Sequence, residues 1–164
     1  MSRHGTPSEA MNIREISELM STYEAANETV FPKRNWIVVR LDGRGFTKLT
    51  KTGDAFEKPF DERFKEGMVI TADALMNCGF DMPLAYTQSD EISVVISPNC
   101  SAFGRRSQKL TTVLSGQASA TMSLFLERPC VFDARALLLP TSETVGHYLQ
   151  WRQQDAHRLS LIHI

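Results

Sequence analysis

The chain has 164 residues, of which 42% are hydrophobic and 23% are charged, and its formal net charge is −1. These values predict one ordinary globular domain with a buried core and argue against a disordered chain. A net charge this close to zero also excludes a basic field over the whole molecule. Any nucleic-acid partner would have to meet a local basic patch, residues beyond this chain or the surface of an oligomer.

The cysteines and the N-terminus indicate the compartment. Three widely spaced cysteines predict a reduced protein, not a disulfide framework or a zinc site. The first ten residues lack the apolar core of a signal peptide, and no apolar run reaches the length of a membrane span. We therefore expect a cytoplasmic protein with no membrane partner.

Hydrophobic spacing and turn residues predict alternating helices and strands. In chain order these are a lead-in helix over 12–27, a strand over 36–41, a helix from Pro59 to 78–79, strands over 84–87 and 91–97, a helix over 102–126, a strand over 131–139 and a helix from 140–141 through about 155. After the first helix the order is βαββαβ, which predicts an α+β, ferredoxin-like domain with an antiparallel sheet and helices on one face. The predicted divisions are a helical lead-in (1–32), this domain (33–157) and a tail (158–164).

Two aspartates stand at the ends of apolar runs. Asp42 ends the first predicted strand, and Asp90 directly precedes the third. In a ferredoxin-like sheet the end of strand one lies beside the start of strand three, so the topology brings these carboxylates together. Carboxylates paired at one sheet edge are suited to Mg²⁺, whose other ligands are water and substrate phosphates.

Neighbouring residues extend this hypothesis and also supply its alternative. Gly43 lets the backbone come close, so its carbonyl is a further possible ligand. Glu91 follows Asp90 but points to the opposite face of its strand, so we rank it second as a ligand. The alternative is that Asp42-Gly43 and Ser89-Asp90 are only turn formers.

A basic trio opens the predicted helix after strand three. Arg105, Arg106 and Lys109 oppose the helix dipole there, and Arg105 and Lys109 repel each other four residues apart. A bound anion would relieve both penalties, because helix N-termini already favour phosphate. The alternative, a solvated basic face, stays open on spacing alone.

Five segments together resemble a known family. They are residues 40–46 (Arg-Leu-Asp-Gly-Arg-Gly-Phe), 58–61 (Lys-Pro-Phe-Asp), 86–93 (Tyr-Thr-Gln-Ser-Asp-Glu-Ile-Ser), 132–135 (Phe-Asp-Ala-Arg) and 151–155 (Trp-Arg-Gln-Gln-Asp). In order and spacing they resemble the tRNA(His) guanylyltransferase superfamily, which includes Thg1-like proteins. The resemblance spans about residues 36–155.

The resemblance implies a polymerase-like palm that adds nucleotides to the 5′ end of tRNA in the 3′-to-5′ direction. It implies activation of a 5′-monophosphate with ATP or GTP, attack by the 3′-hydroxyl of an incoming GTP, and removal of pyrophosphate. By similarity, two Mg²⁺ ions would be ligated by Asp42, the Gly43 carbonyl and Asp90. The implied nucleotide-binding residues are Arg40, Asp42, Gly43, Arg44, Gly45, Phe46, Thr47, Lys58, Ser89, Asp90, Arg105, Arg106 and Lys109, the last three at an activation site.

The resemblance also implies a homo-oligomer, a tetramer in relatives. Residues 158–164 do not resemble the family's continuation, so we expect a truncated or artefactually joined end. The segments at 86–93 and 152–155 look closer to Thg1-like proteins of prokaryotic type. This resemblance favours general 5′-end repair over addition of a single G to tRNA(His). Two other functions stay open: a palm-type nucleotidyl cyclase using the same metals, and a non-catalytic RNA- or nucleotide-binding module.

Overall fold

The computed structural model describes residues 11–46 and 62–162, with side chains through Asp155. In chain order its elements are α1 (Ile13–Ala26), β1 (Trp36–Gly43), α2 (Glu62–Met76), β2 (Leu84–Gln88), β3 (Glu91–Ile96), a 3₁₀ turn (Ala102–Arg105), α3 (Ser107–Leu126), β4 (Phe132–Leu139) and α4 (Ser142–Ile162). This succession confirms the predicted βαββαβ order. The predicted helix start at Pro59 lies outside the described residues.

The strands form one sheet in the order β2-β3-β1-β4, and every neighbouring pair is antiparallel. Strand β1 is therefore an interior strand, with β3 on one side and β4 on the other. Asp42 near its end lies directly across from Glu91 at the start of β3. The predicted ferredoxin-like α+β fold is confirmed, and so is the meeting of these two strand ends.

Alternation along β1 places apolar side chains on both faces of the sheet. Ile37, Val39 and Leu41 are fully buried and belong to the main core, together with apolar residues of α2 and α3. Val38 faces the other side, where it packs with Val145 of α4 in a second, smaller cluster. Helices α2 and α3 thus cover one face as predicted, while α4 covers part of the opposite face.

The long helix begins later than its sequence pattern predicts. Phe103, Gly104 and Arg105 have φ values of 50°, 61° and 62°, so the backbone is left-handed at three successive residues. A right-handed helix cannot include such a run. Helix α3 therefore starts at Ser107, after an extended N-cap at Arg106, and not at residue 102.

The lead-in helix α1 forms as predicted and has a capping box. The side chain of Asn12 accepts hydrogen bonds from the backbone N–H groups of Arg14 and Glu15, and Glu15 accepts one from the backbone N–H of Asn12. No residue of α1 is buried against the described part of the chain.

Across residues 11–46 and 62–162, no helix combines the length and apolar character needed to span a membrane.

Candidate metal and nucleotide site

The backbone holds the end of β1 from both sides. The N–H of Gly43 donates to the carbonyl of Asp90 at 2.9 Å, and the N–H of Arg44 donates to the carbonyl of Val131 at 2.8 Å. The first of these bonds joins the two segments that carry the predicted metal ligands. Asp42 and Asp90 therefore lie at one edge of the sheet, as the topology predicted.

Asp42 lies among other carboxylates. Its cross-strand neighbours are Glu91 on β3 and Asp133 on β4, which share its face of the sheet. Burial raises the pKa of Asp42, the negative charges of Asp90, Asp133 and Glu91 raise it further, and only Arg40 acts in the opposite direction. The ionised site thus holds excess negative charge, which a divalent cation would relieve.

The donor set fits a magnesium ion. Asp42 and Asp90 offer hard carboxylate oxygens, and Mg²⁺ commonly takes one or two carboxylates while phosphates and water complete its octahedron. Within residues 11–46 and 62–162, no group of three or more His, Cys, Asp or Glu side chains is arranged to hold a metal ion. The described part of the chain therefore provides no site of the zinc or calcium kind in which protein side chains supply all the ligands.

The raised pKa of Asp42 predicts a pH-dependent stability in metal-free solution. Folding raises the pKa of Asp42 above its ordinary value of about 3.9. The folded state therefore loses stability as the pH rises from the ordinary pKa to the raised pKa of the folded protein. We expect Asp42→Asn to increase the free energy of unfolding at neutral pH, and this gain to vanish below about pH 4. Urea unfolding across this range with a chelator present measures it, and a gain that is equal at every pH would contradict it.

Position 43 requires a glycine, because an aromatic ring packs against its backbone. A Cβ atom at Gly43 would lie 2.3 Å from the Phe46 ring. That ring is 2% exposed and makes edge contacts with Phe132 and Phe64, at centroid distances of 5.0 and 5.7 Å. Phe46, predicted as nucleotide-binding, thus has its side chain in the core, where it packs against the loop, and its binding of nucleotide stays a prediction.

The other predicted residues of this loop divide into two groups. Arg44 and Gly45 are exposed, and Gly45 has a φ of 74°, so they form a tight turn open to solvent. Thr47 and Lys58 lie outside the described residues. On the facing turn Ser89 is exposed, with a φ of 53°, and its hydroxyl lies 3.3 Å from the Asp90 carboxylate as a hydrogen-bond donor.

Glu91 is hydrogen-bonded by an arginine of α4. The Arg152 guanidinium of α4 donates from Nε to Oε1 at 2.8 Å and from Nη2 to Oε2 at 2.7 Å. Arg40 approaches the same carboxylate, with Nε 3.8 Å from Oε2. The strand register places the Glu91 side chain on the same face of the sheet as that of Asp42. Both carboxylate oxygens of Glu91 already accept charged hydrogen bonds, which reduces its capacity as a metal ligand.

The structure separates the predicted basic trio. The side chain of Arg105 is not in the first turns of a helix at all: it is buried, 3% exposed, in the turn before α3. Its Nη1 donates to the carbonyl of Cys100 at 2.9 Å and its Nη2 to that of Asn35 at 2.6 Å, with longer contacts to the carbonyls of Ser97 and Pro98. The predicted helix-start position of Arg105 is therefore wrong. Backbone carbonyls bind both its terminal nitrogens, while its Nε is buried without a hydrogen-bond partner in the described part of the chain, so triphosphate binding by Arg105 stays a prediction.

Arg106 and Lys109 stay near the surface. Arg106 is paired with Glu28, with Nη1 3.3 Å from Oε1, and its Nε donates to the Phe103 carbonyl at 3.0 Å. Lys109 is exposed in the first turn of α3. An incoming phosphate would compete with Glu28 for Arg106 and would meet Lys109 directly.

Two residues at this edge had been given no role from the sequence. Asp133 and Arg152 lie in the segments 132–135 and 151–155, which carried the family resemblance but no assigned chemistry. Their motif membership was the only available signal, since each reaches the site through pairing across the sheet or from a helix far along the chain.

An antiparallel ferredoxin-like sheet with an aspartate pair at one edge defines an α+β domain of the palm type. The family model for tRNAHis guanylyltransferase (Thg1) matches residues 17–140. The chain belongs to this family.

Individual relatives agree with the family match. A probable tRNA(His) guanylyltransferase of Drosophila melanogaster is 43% identical over 130 residues, covering 74% of this chain and 45% of that protein. The tRNA(His) guanylyltransferase of Neurospora crassa is 39% identical over 133 residues, with coverages of 74% and 45%. The chain thus spans about half the length of the curated relatives it matches.

Solved structures share the fold. A bacterial Thg1-like protein in complex with GTP superposes with a TM-score of 0.81 at 32% identity, covering 89% of this chain and 73% of that one. A bacterial Thg1-like protein in complex with ATP gives a TM-score of 0.78 at 34% identity, with coverages of 86% and 66%. The tRNA(His) guanylyltransferase of Saccharomyces cerevisiae gives 0.73 at 27% identity, with coverages of 82% and 63%.

Proposed function

We propose that this chain is the palm portion of a magnesium-dependent nucleotidyltransferase that adds GTP-derived nucleotides to the 5′ end of tRNA. The observation that carries the proposal is the meeting of Asp42 and Asp90 at one sheet edge, joined by the hydrogen bond from Gly43 to Asp90. Family membership supports the reaction class, and the GTP and ATP complexes of bacterial relatives support the nucleotides.

In this proposal the two aspartates and the Gly43 carbonyl hold paired Mg²⁺ ions. When bound, magnesium supplies positive charge that binds phosphate oxygens and stabilises the charge developing during phosphoryl transfer. The excess negative charge around Asp42 supports this assignment, since it makes the empty ionised site unfavourable.

Cationic side chains of the chain bind the phosphates. Arg40 is 13% exposed beside this edge, and its Nε is buried without a hydrogen-bond partner. A buried donor without an acceptor is costly, and a phosphate oxygen would satisfy it. Arg106, Lys109 and Lys58 add charge to the triphosphate sites, while the open turn of Arg44 and Gly45 and the Ser89 hydroxyl contact the nucleotide.

The reaction proceeds in the order that the family resemblance implies. ATP or GTP transfers its nucleoside monophosphate to the 5′-monophosphate of the tRNA and releases pyrophosphate. The 3′-hydroxyl of an incoming GTP then attacks the activated 5′-phosphate and expels that nucleoside monophosphate, and pyrophosphate is finally removed from the triphosphate of the added nucleotide. We propose tRNA(His) or 5′-truncated tRNA as the substrate, a homo-oligomeric and specifically tetrameric assembly, and a cytoplasmic location.

The proposal predicts a labelled, extended RNA. Incubation of 5′-truncated tRNA with ATP, labelled GTP and Mg²⁺ should lengthen the tRNA at its 5′ end, and a chelator should abolish the product. The control is the same mixture without RNA. Absence of any 5′ extension, also from a version with the family's full length, would overturn the proposal, and a cyclic nucleotide formed without RNA would indicate the cyclase instead.

A further inference from the structure

The segment 151–155 carries an ion-pair network that the proposed reaction does not use. Arg152 on α4 forms a two-bond pair with Glu91 at 2.7 and 2.8 Å, and its Nη1 donates to Asp155 at 2.7 Å. Its guanidinium carbon also lies 4.7 Å from the centre of the Trp151 ring. With side chains of Arg152 and Glu91 both 15% exposed, this pair is far less screened than a surface salt bridge.

Arg152 and Arg40 compete for one carboxylate. Arg152 takes both oxygens of Glu91 in the fork geometry that arginine and carboxylate prefer. Arg40 is left 3.8 Å from Oε2, which is too far for a hydrogen bond, and its Nε has no acceptor in the described part of the chain. Arg152 therefore occupies the acceptor that Arg40 would otherwise use.

The position of Arg40 makes this competition relevant to the site. Arg40 lies two residues before Asp42 on β1, so both side chains are on the same face of the sheet. Its cross-strand neighbours are Ser93 and Arg135, which offer no negative charge. Glu91, unless another cation satisfies it, would therefore compete with a phosphate for Arg40.

We infer that Arg152 is a positioning residue for triphosphate binding: by saturating Glu91 it leaves Arg40 available to the substrate phosphates. Without Arg152, Glu91 would draw Arg40 into a two-bond pair and would also stand as an unneutralised carboxylate across from Asp42. Both changes disfavour an anionic ligand. This inference rests on the proposed function for the identity of that ligand.

The test measures the affinity of the full chain for GTP in Mg²⁺ by calorimetry. We expect Arg152→Ala to weaken binding about tenfold to a hundredfold, the range of a lost charged hydrogen bond. Adding Glu91→Gln to Arg152→Ala should restore affinity to within about threefold of the original, because glutamine can neither attract Arg40 by charge nor repel phosphate. Arg14→Ala, which removes an exposed arginine paired with Glu18 on α1, is the matched control and should leave affinity unchanged.

A purely structural role would give a different pattern. If Arg152 only fastened α4 to the sheet, Glu91→Gln would not rescue Arg152→Ala, and the double variant would bind no better than the single one. That result, or an Arg152→Ala variant with unchanged affinity, would overturn the inference.

A second measurement separates this inference from the proposed function. In the nucleotide-free protein, the Nε–H resonance of Arg40, assigned by its loss in Arg40→Lys, should shift in Arg152→Ala as Arg40 pairs with Glu91, and should return in the double variant. If the original chain binds no GTP, the proposed function fails, and this resonance still decides the inference. An unchanged Arg40 resonance in Arg152→Ala would overturn the exchange of partners.

Discussion

Replacing either Asp42 or Asp90 by asparagine should lower 5′ nucleotide addition by about a hundredfold to a thousandfold or more while the protein stays folded. Each change removes ligand charge from the ions that stabilise the transition state. The same change relieves repulsion in the metal-free protein, because Asp90 is the charged group that most raises the pKa of Asp42. Catalysis and stability should therefore change in opposite directions.

Rates with labelled GTP and truncated tRNA across a Mg²⁺ titration, together with thermal unfolding in a chelator, measure both effects. Asp133→Asn is the matched control, since Asp133 also neighbours Asp42 across the sheet but is exposed and is no proposed ligand. It should stay within a fewfold of the original rate. An Asp42→Asn variant that is fully active, or that unfolds without metal, would contradict the metal site.

Arg105→Ala should lower the free energy of unfolding by about 3 kcal/mol or more, whereas Lys109→Ala should change it by less than about 0.5 kcal/mol. The guanidinium of Arg105 holds the carbonyls of Asn35 and Cys100, which join the approach to β1 with the segment after β3. Its removal leaves these acceptors, one buried and one partly buried, unpaired and opens a cavity. Lys109 is exposed in the first turn of α3, and its proposed role is to bind phosphate and not to stabilise the fold.

Urea unfolding of the two variants, with GTP affinity measured on each under folded conditions, distinguishes the two roles. Lys109→Ala should weaken triphosphate binding at unchanged stability. Arg105→Lys should be intermediate in stability, because lysine keeps the charge but lacks the fork that reaches several carbonyls. Stability of Arg105→Ala equal to that of the original chain would show that the carbonyl contacts are dispensable.

The sequence was sufficient for the strand order and for the aspartate pair. Asp42 and Asp90 each follow or precede a short apolar run, and one topological rule then brings them together although 48 residues separate them in the numbering. The prediction succeeded because it depended on local periodicity and on a common fold pattern.

The roles of the arginines needed the structure. Arg105 looks like a helix-start cation in the sequence, but three successive left-handed residues end that pattern and turn its side chain inward. Its most distant acceptor along the chain, the carbonyl of Asn35, is 70 residues away. The pairing of Glu91 with Arg152 likewise spans 61 residues and depends on α4 crossing the opposite face of the sheet. No spacing rule along the chain encodes such contacts.

The bonds on both sides of β1 have a consequence for ligand entry. The amides of Gly43 and Arg44 are already hydrogen-bonded to neighbouring segments. The strand end that carries Asp42 is therefore held in place before any nucleotide binds. Little ordering of this end of β1 is then needed on encounter, so the entropy lost there should come mainly from the incoming phosphates and their solvent. Such preorganisation favours fast, reversible capture of a small charged ligand even when the RNA is absent.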